Sequence, residues 1–368
     1  MKTDLLIIGA GPAGINAALT ADAAGAEVIL VDESLQPGGQ LRQQTQFFSN
    51  LPKNKKKTRG TSLNNHLVES LNASNVKVLS NHAMVGSYLN GNIGVTDGFK
   101  TFEIHAKKYI LATGAQEEGK IFPGWTLPGV MTAGAAQILI NRELVLPGEN
   151  AVIVGSNDFA FEVIKQLRIC GVSIKAVVED KDQLQSEKQD LLSDLGYITF
   201  LTNSKIELAS GSGEVEHVSI RTPSGIKELD ADFICISNGF TPILEPFEVM
   251  NCKFTYKEIL GGWLPAYNMN FQTTNSNCYL AGNAAGITTL GPILLTGEIA
   301  AWSVLEELEF ISPREAHNQK KECWEELMTL ENNNVFQKRT EIIADSLLQD
   351  NWNPKSYFTE LQGGQIHG

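Results

Sequence analysis

Three glycines near the amino terminus are the residues of this sequence best suited to chemistry. They belong to the run Gly9-Ala10-Gly11-Pro12-Ala13-Gly14. The first glycine permits a tight turn, the second lets a phosphate approach the backbone, and the third lets a helix pack closely on a strand. Because the amino end of a helix carries partial positive charge, this spacing predicts a pyrophosphate-binding turn. The candidate contacts are Gly9, Gly11, Pro12, Ala13 and Gly14.

The segments on either side of this turn have the pattern of a β-α-β unit. Residues 4–9 predict an apolar strand, residues 15–24 an alanine-rich helix and residues 27–33 a second strand. In such units an acid about 20 residues beyond the turn accepts hydrogen bonds from an adenosine ribose. Asp32 and Glu33 both stand near that offset, and counting alone does not separate them. In this context a glycine turn that binds no ligand is disfavoured.

A second pair of glycines follows the predicted ribose-binding strand. The run is Pro37-Gly38-Gly39-Gln40-Leu41. Paired glycines let a backbone pass close to a flat, bulky group, and Gln40 can supply amide hydrogen bonds. We therefore expect Gly38, Gly39, Gln40 and Leu41 to contact the isoalloxazine ring of a flavin.

The same β-α-β pattern returns in the middle of the chain. An apolar strand ends at Gly155, residues 159–170 predict a helix, and residues 173–178 predict a strand that is followed by Glu179. Gly25 to Glu33 spans eight positions, and so does Gly171 to Glu179. This internal repeat predicts two nucleotide-binding units, one for a flavin and one for a nicotinamide.

The second turn lacks a glycine that the first one has. It reads Gly155-Ser156-Asn157-Asp158-Phe159-Ala160, with Asn157 in place of the second glycine. Asn tolerates a left-handed backbone, but its side chain takes space that a pyrophosphate would use. The candidate nicotinamide contacts are Gly155, Ser156, Asn157 and Glu179, and no Arg stands just after Glu179 to receive a 2′-phosphate. We expect NADH rather than NADPH if a nicotinamide binds, and otherwise a Rossmann domain kept as a scaffold.

Three further segments are more specific than the glycine spacing. They are residues 109–115 (Tyr-Ile-Leu-Ala-Thr-Gly-Ala), the proline-rich residues 122–137, and residues 278–286 (Cys-Tyr-Leu-Ala-Gly-Asn-Ala-Ala-Gly). With the opening turn, they resemble the pyridine nucleotide-disulfide oxidoreductase superfamily. The branch they are most similar to holds the α subunits of sarcosine oxidase, opine oxidase, proline dehydrogenase and hydrogen cyanide synthase. The likeness covers roughly residues 1–310.

This resemblance implies an α/β fold of two nested, three-layer Rossmann-like domains and a helical C-terminal tail. An FAD-binding domain would combine residues 1–118 and 245–310, with an NAD(P)-binding-like domain at 119–244 and the tail at 311–368. It also implies that Thr113, Gly114 and Ala115 close over the FAD, while Gly282 and Asn283 contact its ribityl chain and pyrophosphate. The family normally has Asp at position 283. Further FAD contacts are implied for the backbone N–H groups of Ile293 and Leu294, in a helix at residues 293–308.

Composition narrows the class of protein. The net charge of −13 disfavours binding to nucleic acid, and no apolar run is long enough for a membrane span, so we expect a cytoplasmic protein. None of the five cysteines forms a Cys-x-x-Cys pair or a metal-binding spacing, which argues against a dithiol centre in this chain. A basic cluster at residues 53–59 is interpreted as a solvated loop or as a docking surface for an acidic partner.

The reaction is less well defined than the cofactor. No acid, base or nucleophile stands out, so the predicted site residues are cofactor contacts and the catalytic residues are unknown. Three functions remain open: a flavoprotein subunit of an amine or amino-acid dehydrogenase or oxidase complex, a free-standing NADH-dependent reductase, and a flavin-binding protein with a degenerate nicotinamide site. The first implies a β-type flavoprotein partner, and the electron acceptor is a protein or a small molecule. A homodimer or heteromer is expected, and the tail either covers the FAD domain or docks a partner.

Overall fold

The computed structural model describes residues 1–186 and 198–345. In chain order the strands are β1 Lys2–Ile8, β2 Val28–Asp32, β3 Phe47–Phe48, β4 Thr58–Arg59, β5 Lys77–Ser80, β6 Ala83–Ser87, β7 Ile93–Thr96, β8 Thr101–Leu111, β9 Ala115–Glu117, β10 Val130–Thr132, β11 Asn150–Val154, β12 Ser173–Val178, β13 Phe200–Leu201, β14 Lys205–Ser210, β15 His217–Thr222, β16 Gly225–Asp230, β17 Phe233–Ile236, β18 Phe240–Pro242, β19 Phe254–Lys257, β20 Gly262–Pro265 and β21 Cys278–Leu280. The helices of the described residues are α1 Pro12–Ala23, α2 Gly60–Asn72, α3 Ala133–Ile138, α4 Asp158–Ile169, α5 Glu245–Val249, α6 Leu290–Glu307, α7 Pro313–Leu330 and α8 Asn333–Asp345.

The chain folds into two compact units. Unit 1 contains Met1–Arg42, Phe47–Gln116 and the described residues from Thr241 onward, and unit 2 contains Gln43–Gln46 and Glu117–Phe240. The four-residue segment Gln43–Gln46 belongs to unit 2, although its neighbours in sequence belong to unit 1. No pattern in the sequence predicts this assignment. The mixed α/β architecture, with a Rossmann-like sheet in each unit, confirms the predicted fold class.

The main sheet of unit 1 has the strand order β5-β2-β1-β8-β7-β6, and β21 also pairs with β8. β1, β2, β5, β8 and β21 form parallel pairs, whereas β6, β7 and β8 pair antiparallel. The central strand β1 is buried on both faces, since Leu5, Leu6 and Ile7 have no exposed surface. Such continuous apolar runs are typical of covered parallel sheets.

Helix α1 packs so closely against β1 and α6 that some contact positions have no room for a side chain. A Cβ added at Gly14 would overlap the carbonyl oxygen of Gly9, and one at Gly297 in α6 would overlap the carbonyl oxygen of Ala13. One at Gly282 would lie 2.9 Å from Ala13 Cβ. Asn16 adds a polar link, donating from Nδ2 to the Leu294 carbonyl at 3.0 Å. The amino end of α1 is therefore fixed from two sides.

Unit 2 contains a parallel sheet and a separate antiparallel one. The parallel sheet has the order β10-β17-β11-β12-β13, and β14, β15 and β16 form the antiparallel sheet. The register between β11 and β12 shifts, because Ala151 pairs with Ile174 and Val152 pairs with Ala176. Lys175 is therefore one residue extra in β12, as in a β-bulge.

Helices α7 and α8 pack on the rest of unit 1 through a buried aromatic and ionic core. Trp324 of α7 stacks on Phe271 with ring centroids 5.4 Å apart, and it meets the edge of Phe336. Arg339 of α8 is fully buried and donates two hydrogen bonds to Glu331, at 2.7 and 2.9 Å. The expected helical tail is thus helical as far as Asp345. Trp352, Tyr357 and Phe358, also assigned to it, lie outside the described residues.

Two absences apply to the described ranges. Among their helices, none combines the length and apolar character that a bilayer crossing needs. Nor do residues 1–186 and 198–345 bring together three or more His, Cys, Asp or Glu side chains in a group that could hold a metal ion.

The buried ion pair yields a stability prediction. Replacing Arg339 with Met leaves the Glu331 carboxylate buried without its cation, which costs about 3–5 kcal/mol. The double variant Arg339→Met/Glu331→Leu removes both charges and should recover a large part of that loss. Urea unfolding followed by tryptophan fluorescence measures both effects, with Arg314→Met on the exposed side of α7 as the control. A single variant as stable as the control would contradict this interpretation.

Candidate functional site

In the glycine turn after β1, nearby backbone atoms leave no room for a side chain at two of the three glycines. Gly9 has a φ of +104°, and a Cβ there would overlap the Ala112 carbonyl oxygen at the end of β8. Gly14 packs on Gly9 in the same way, as described above. Both positions therefore require glycine for reasons internal to the protein, as the sequence predicted.

Gly11 is different, because nothing in the protein requires it to be glycine. Its φ of −75° and ψ of −179° suit any residue, and a Cβ there would meet no atom within 4 Å. Gly11 precedes Pro12, the first residue of α1, and makes no side-chain cap. The N–H groups of Ala13 and Gly14 lie in the first helical turn, where they lack intrahelical partners. A pyrophosphate fits this open amino end, which offers N–H donors and a favourable dipole.

The other predicted FAD contacts of unit 1 converge on this turn. Gly38 N donates to the Ala10 carbonyl at 2.7 Å, and a Cβ at Gly39 would lie 2.9 Å from Gly11 Cα. Gln40 is exposed beside them. Leu41, in contrast, is 1% exposed and belongs to the core of unit 1, so its side chain points into the protein.

The structure distinguishes the two candidate ribose acids. Asp32 Oδ2 accepts a hydrogen bond from Ala10 N at 2.5 Å, and Oδ1 accepts one from Ser34 N at 2.8 Å. Glu33 is exposed. The Asp32 carboxylate therefore faces the glycine turn and is the better placed of the two for a ribose.

The segment after β8 follows the same edge of the sheet. Thr113 Oγ1 donates to the Ile243 carbonyl at 3.3 Å, and Ile243 N donates to the Gly114 carbonyl at 3.2 Å. Gly114 has a φ of +77°, and a Cβ there would meet nothing within 4 Å. Ala115 begins β9 and is half-buried. This geometry leaves the Gly114 side of the backbone open to a ligand.

Two hydrogen bonds within the protein fix the turn at Gly282 and Asn283. Gly282 N donates to Thr296 Oγ1 at 2.8 Å, and Asn283 Oδ1 accepts from Thr288 N at 3.1 Å. Because the Thr288 N–H fixes the oxygen, the amide NH₂ of Asn283 points the other way. That group can donate to a ligand oxygen, whereas an ionised Asp only accepts.

The prediction for Ile293 and Leu294 is wrong in position. Helix α6 begins at Leu290, so Gly291 and Pro292 lie inside its first turn. Ile293 N already donates to the Thr289 carbonyl at 3.1 Å, and Leu294 lies a further residue into the helix. The first-turn N–H groups belong to Leu290 and Gly291, since Pro292 has none.

The second glycine turn keeps its backbone shape and fills its amino end with side chains. Gly155 has a φ of +95°, like Gly9. Asn157 has a φ of −76° and a ψ of 172°, so its tolerance of left-handed backbone is not what the turn uses, contrary to our expectation. Its Oδ1 accepts hydrogen bonds from Ala160 N at 2.9 Å and from Ser237 Oγ at 2.8 Å. Asn157 is therefore the cap of α4.

The other two predicted contacts of unit 2, Ser156 and Glu179, form a hydrogen bond with each other. Ser156 Oγ donates to Glu179 Oε2 at 2.5 Å and accepts from Gln185 N at 2.9 Å. Ser186 Oγ donates to Asp158 Oδ1 at 2.6 Å. Glu179 is only 4% exposed. The segment after β12 thus closes over the start of α4.

The two acids that occupy the same place in the two units are Asp32 and Glu179. Gly9 N donates to the Val31 carbonyl, and Gly155 N donates to the Val178 carbonyl. The equal spacing in sequence pairs Glu33 with Glu179 instead, because the extra Lys175 in the β12 bulge offsets the count by one. This bulge is invisible in the sequence pattern.

Sequence reasoning also missed two groups that titrate. Burial raises the pKa of Glu117, whose two carboxylate oxygens accept from Gly134 N at 2.8 and 3.0 Å. Cys252 donates to Thr273 Oγ1 at 3.2 Å, and a hydrogen bond with Cys278 lowers the pKa of Cys252. Both thiols are free, and they are far apart in sequence, so a search for Cys-x-x-Cys did not find them.

Comparison with known proteins shows the family of the chain. Residues 3–305 match the family model described as pyridine nucleotide-disulphide oxidoreductase. The chain belongs to this family. It is an FAD-dependent oxidoreductase, and family membership implies binding of a flavin and of a nicotinamide nucleotide.

Two relatives of the chain are named as oxidase subunits. One subunit of the opine oxidase of Agrobacterium tumefaciens (strain Ach5) is 28% identical over 84% of this chain and 66% of its own length. The alpha chain of the sarcosine oxidase of Rhizobium meliloti (strain 1021) is 28% identical over 84% of this chain and 31% of its own length. The chain therefore spans just under two thirds of the first relative and about a third of the second.

A solved structure shares the fold. L-proline dehydrogenase from P. horikoshii superposes with a TM-score of 0.70 at 24% identity, covering 88% of this chain and 59% of that one. The family match confirms the superfamily that the sequence motifs indicated, and the two relatives are among the kinds of protein that the predicted branch contains.

The two glycines of the first turn should respond differently to alanine. In Gly11→Ala the added methyl meets no protein atom, so stability should fall by less than about 1 kcal/mol, the preference of an N-cap for glycine over alanine. FAD affinity should fall roughly tenfold or more, because the methyl takes space that the pyrophosphate needs. In Gly14→Ala the methyl overlaps Gly9, so stability itself should fall. Thermal unfolding of the apoprotein and fluorescence titration with FAD separate the two effects. Equal FAD affinity in Gly11→Ala and the unmodified protein would argue against pyrophosphate at this turn.

Proposed function

We propose that this chain is the flavin-carrying subunit of an amine or amino-acid dehydrogenase or oxidase complex. In this role it exchanges electrons with a partner redox subunit. The observation that supports it best is the contrast between the two turns. The start of α1 is open at Gly11, whereas the start of α4 is filled by Asn157. A flavin then has a ready site in unit 1, and a nicotinamide has a restricted one in unit 2.

Binding of FAD in unit 1 is supported by complementary groups. The N–H groups of Ala13 and Gly14 suit the pyrophosphate, and Asp32 suits the adenosine ribose. The amide NH₂ of Asn283 suits a phosphate or ribityl oxygen. The amino end of α6, at Leu290 and Gly291, suits negative charge on the flavin pyrimidine because of the helix dipole.

The chain's own part in the reaction is binding and electrostatics. FAD, when bound, supplies the chemistry: it takes up the two electrons that leave an amine as it becomes an imine, or those of a hydride from NADH. Neutral Asn283 and the α6 dipole would favour extra negative charge near the site, and Gly114 leaves room for the bulky ring. Electrons then leave to a protein partner or a diffusible acceptor.

A free-standing NADH-dependent reductase is the second candidate. It is favoured by the retained Gly155 turn, by the parallel β11-β12 pair and by the family to which the chain belongs. If Asn157 moves aside, a dinucleotide can reach the start of α4. NADH is expected over NADPH, because no Arg stands directly after Glu179 in the sequence. The third candidate, a flavin-binding protein with little catalysis, is supported only by Asn157 and Asn283.

Anaerobic stopped-flow mixing tests the proposal. The purified protein, loaded with FAD, is mixed with NADH and separately with NADPH while flavin absorbance is followed. We expect slow or no bleaching by either nucleotide and rapid bleaching by dithionite. Rapid bleaching by NADH would instead favour the free-standing reductase, and a protein that holds no FAD would remove both.

Partner binding is proposed from the relatives. The opine oxidase and sarcosine oxidase chains are named as subunits, so each of those proteins works with others. For this chain we expect a heteromer with a β-type flavoprotein. Size-exclusion chromatography of the chain expressed alone and with a genomic neighbour tests this expectation.

Asn157 provides a gain-of-function prediction. Asn157→Gly removes the side chain that fills the start of α4 at a cost of only a few tenths of a kcal/mol as a cap. The rate of flavin reduction by NADH should therefore rise. Asn157→Ala loses the cap, about 1 kcal/mol, and retains a Cβ, so it serves as the matched control. If Asn157→Gly leaves the NADH rate unchanged, the side chain is not what restricts the site.

A further inference from the structure

The hairpin formed by β3 and β4 carries a concentration of positive charge that contrasts with the rest of the chain. Residues 53–59 hold Lys53, Lys55, Lys56, Lys57 and Arg59 and no acid, in a chain whose net charge is −13. All but the half-buried Lys55 are exposed. In the loop between β3 and β4, the Glu326 carboxylate accepts from the backbone N–H of Lys53 at 3.1 Å. The hairpin remains strongly basic.

An exposed aromatic ring lies among these cations. Phe47, 57% exposed, pairs across the hairpin with Arg59. The Arg59 guanidinium lies 4.4 Å from the ring centroid and the Lys57 ammonium 5.7 Å from it. Aromatic rings and arginines together are the residues most enriched at the energetic centres of protein interfaces. Phe47 therefore lies within reach of two cations of the hairpin.

The hairpin also lies next to the amino end of α6. Asn50 Nδ2 donates to Thr289 Oγ1 at 3.3 Å and to the Leu330 carbonyl at 2.6 Å. A Cβ on Gly291 would lie 2.6 Å from the Asn50 carbonyl oxygen. The basic segment therefore begins beside the helix end that the proposed function assigns to the flavin.

We propose that the basic hairpin, residues 47–59, is the docking surface for an acidic electron-transfer protein. This inference rests on the proposed flavin site, because the hairpin's position matters only if the redox centre is nearby. Electron-transfer encounters are small, and opposite charges raise their association rates by about 10- to 1,000-fold at low salt. With a Debye length of about 8 Å at physiological salt, a compact partner senses mainly the hairpin. An extended anionic surface such as a membrane also meets the acidic remainder.

Electron transfer from a plant-type ferredoxin, an acidic one-electron carrier, tests the proposal. Two reduced ferredoxins supply the two electrons, and solvent supplies the protons, that reduce one bound flavin. The rate constant is measured by stopped flow at several ionic strengths, with basic cytochrome c as the electron acceptor in a parallel series from the reduced protein. We expect the ferredoxin rate to fall with salt and the cytochrome c rate to respond less or in the opposite sense.

Reversing the charge of the hairpin tests whether the hairpin causes the salt dependence of the ferredoxin rate. Lys55→Glu/Lys56→Glu/Lys57→Glu should lower the ferredoxin rate at low salt by ~10-fold or more and flatten its salt dependence. The matched control Lys2→Glu/Lys100→Glu/Lys253→Glu makes the same charge change at exposed lysines outside the hairpin. It should leave the rate within about twofold of the unmodified protein. FAD content and bleaching by dithionite, measured on each variant, report separately on the proposed flavin site.

Several results would overturn the docking proposal while leaving the flavin site intact. One is a ferredoxin rate that does not depend on salt, or no transfer to a flavin that dithionite reduces. Another is an equal loss in both triple variants, which would assign the effect to net charge. A third is an unchanged ferredoxin rate together with hairpin-dependent sedimentation on phosphatidylglycerol vesicles, which would assign the hairpin to a membrane surface.

Discussion

The fit of the first turn of α1 between β1 and α6 is the constraint on which unit 1 depends. Gly14 and Gly297 have no side chain because backbone atoms occupy the space where one would stand. This contact sets the direction of the helix, and therefore the direction in which its first N–H groups point. Gly11, at the tip, is the one glycine of the turn that packing does not require. Gly14 and Gly297 are therefore required by packing, whereas Gly11 leaves the start of α1 open.

The same local fold in unit 2 shows what happens when that opening is closed. The Gly155 turn, β11 and α4 repeat the arrangement around Gly9, yet Asn157 caps the helix and Ser156 bonds to Glu179. A helix start needs acceptors for its orphan N–H groups, and these come from a ligand or from side chains. At the start of α1 no side chain caps the helix, whereas at the start of α4 the Asn157 side chain already supplies one acceptor. Two copies of one motif therefore differ at the helix start through one residue.

The sequence predicts the features that depend on neighbours along the chain. The glycine turn, the strand β12 and the order of β-α-β elements follow from local patterns, and so does the α/β class. Other features depend on contacts between distant segments. Three such features leave no periodic signal in the sequence: the bulge at Lys175, the assignment of Gln43–Gln46 to unit 2, and the pairing of Arg339 with Glu331. The start of α6 was misplaced for a different reason: Gly291 and Pro292 suggest a boundary, although proline is well tolerated in a first helical turn.

The Arg339 network shows how the C-terminal helices reach the candidate FAD site. Arg339 donates to the Ala285 carbonyl at 2.7 Å and to Tyr267 Oη at 2.8 Å, and Thr288 Oγ1 donates to Glu331 at 2.7 Å. Thr288 N in turn fixes the side-chain oxygen of Asn283. Each donor in this chain of contacts is buried or half-buried, so its loss leaves an uncompensated acceptor. Helices α7 and α8 are therefore part of the support for the Gly282–Ala285 turn, and the orientation of Asn283 depends on residues about 50 positions away in sequence.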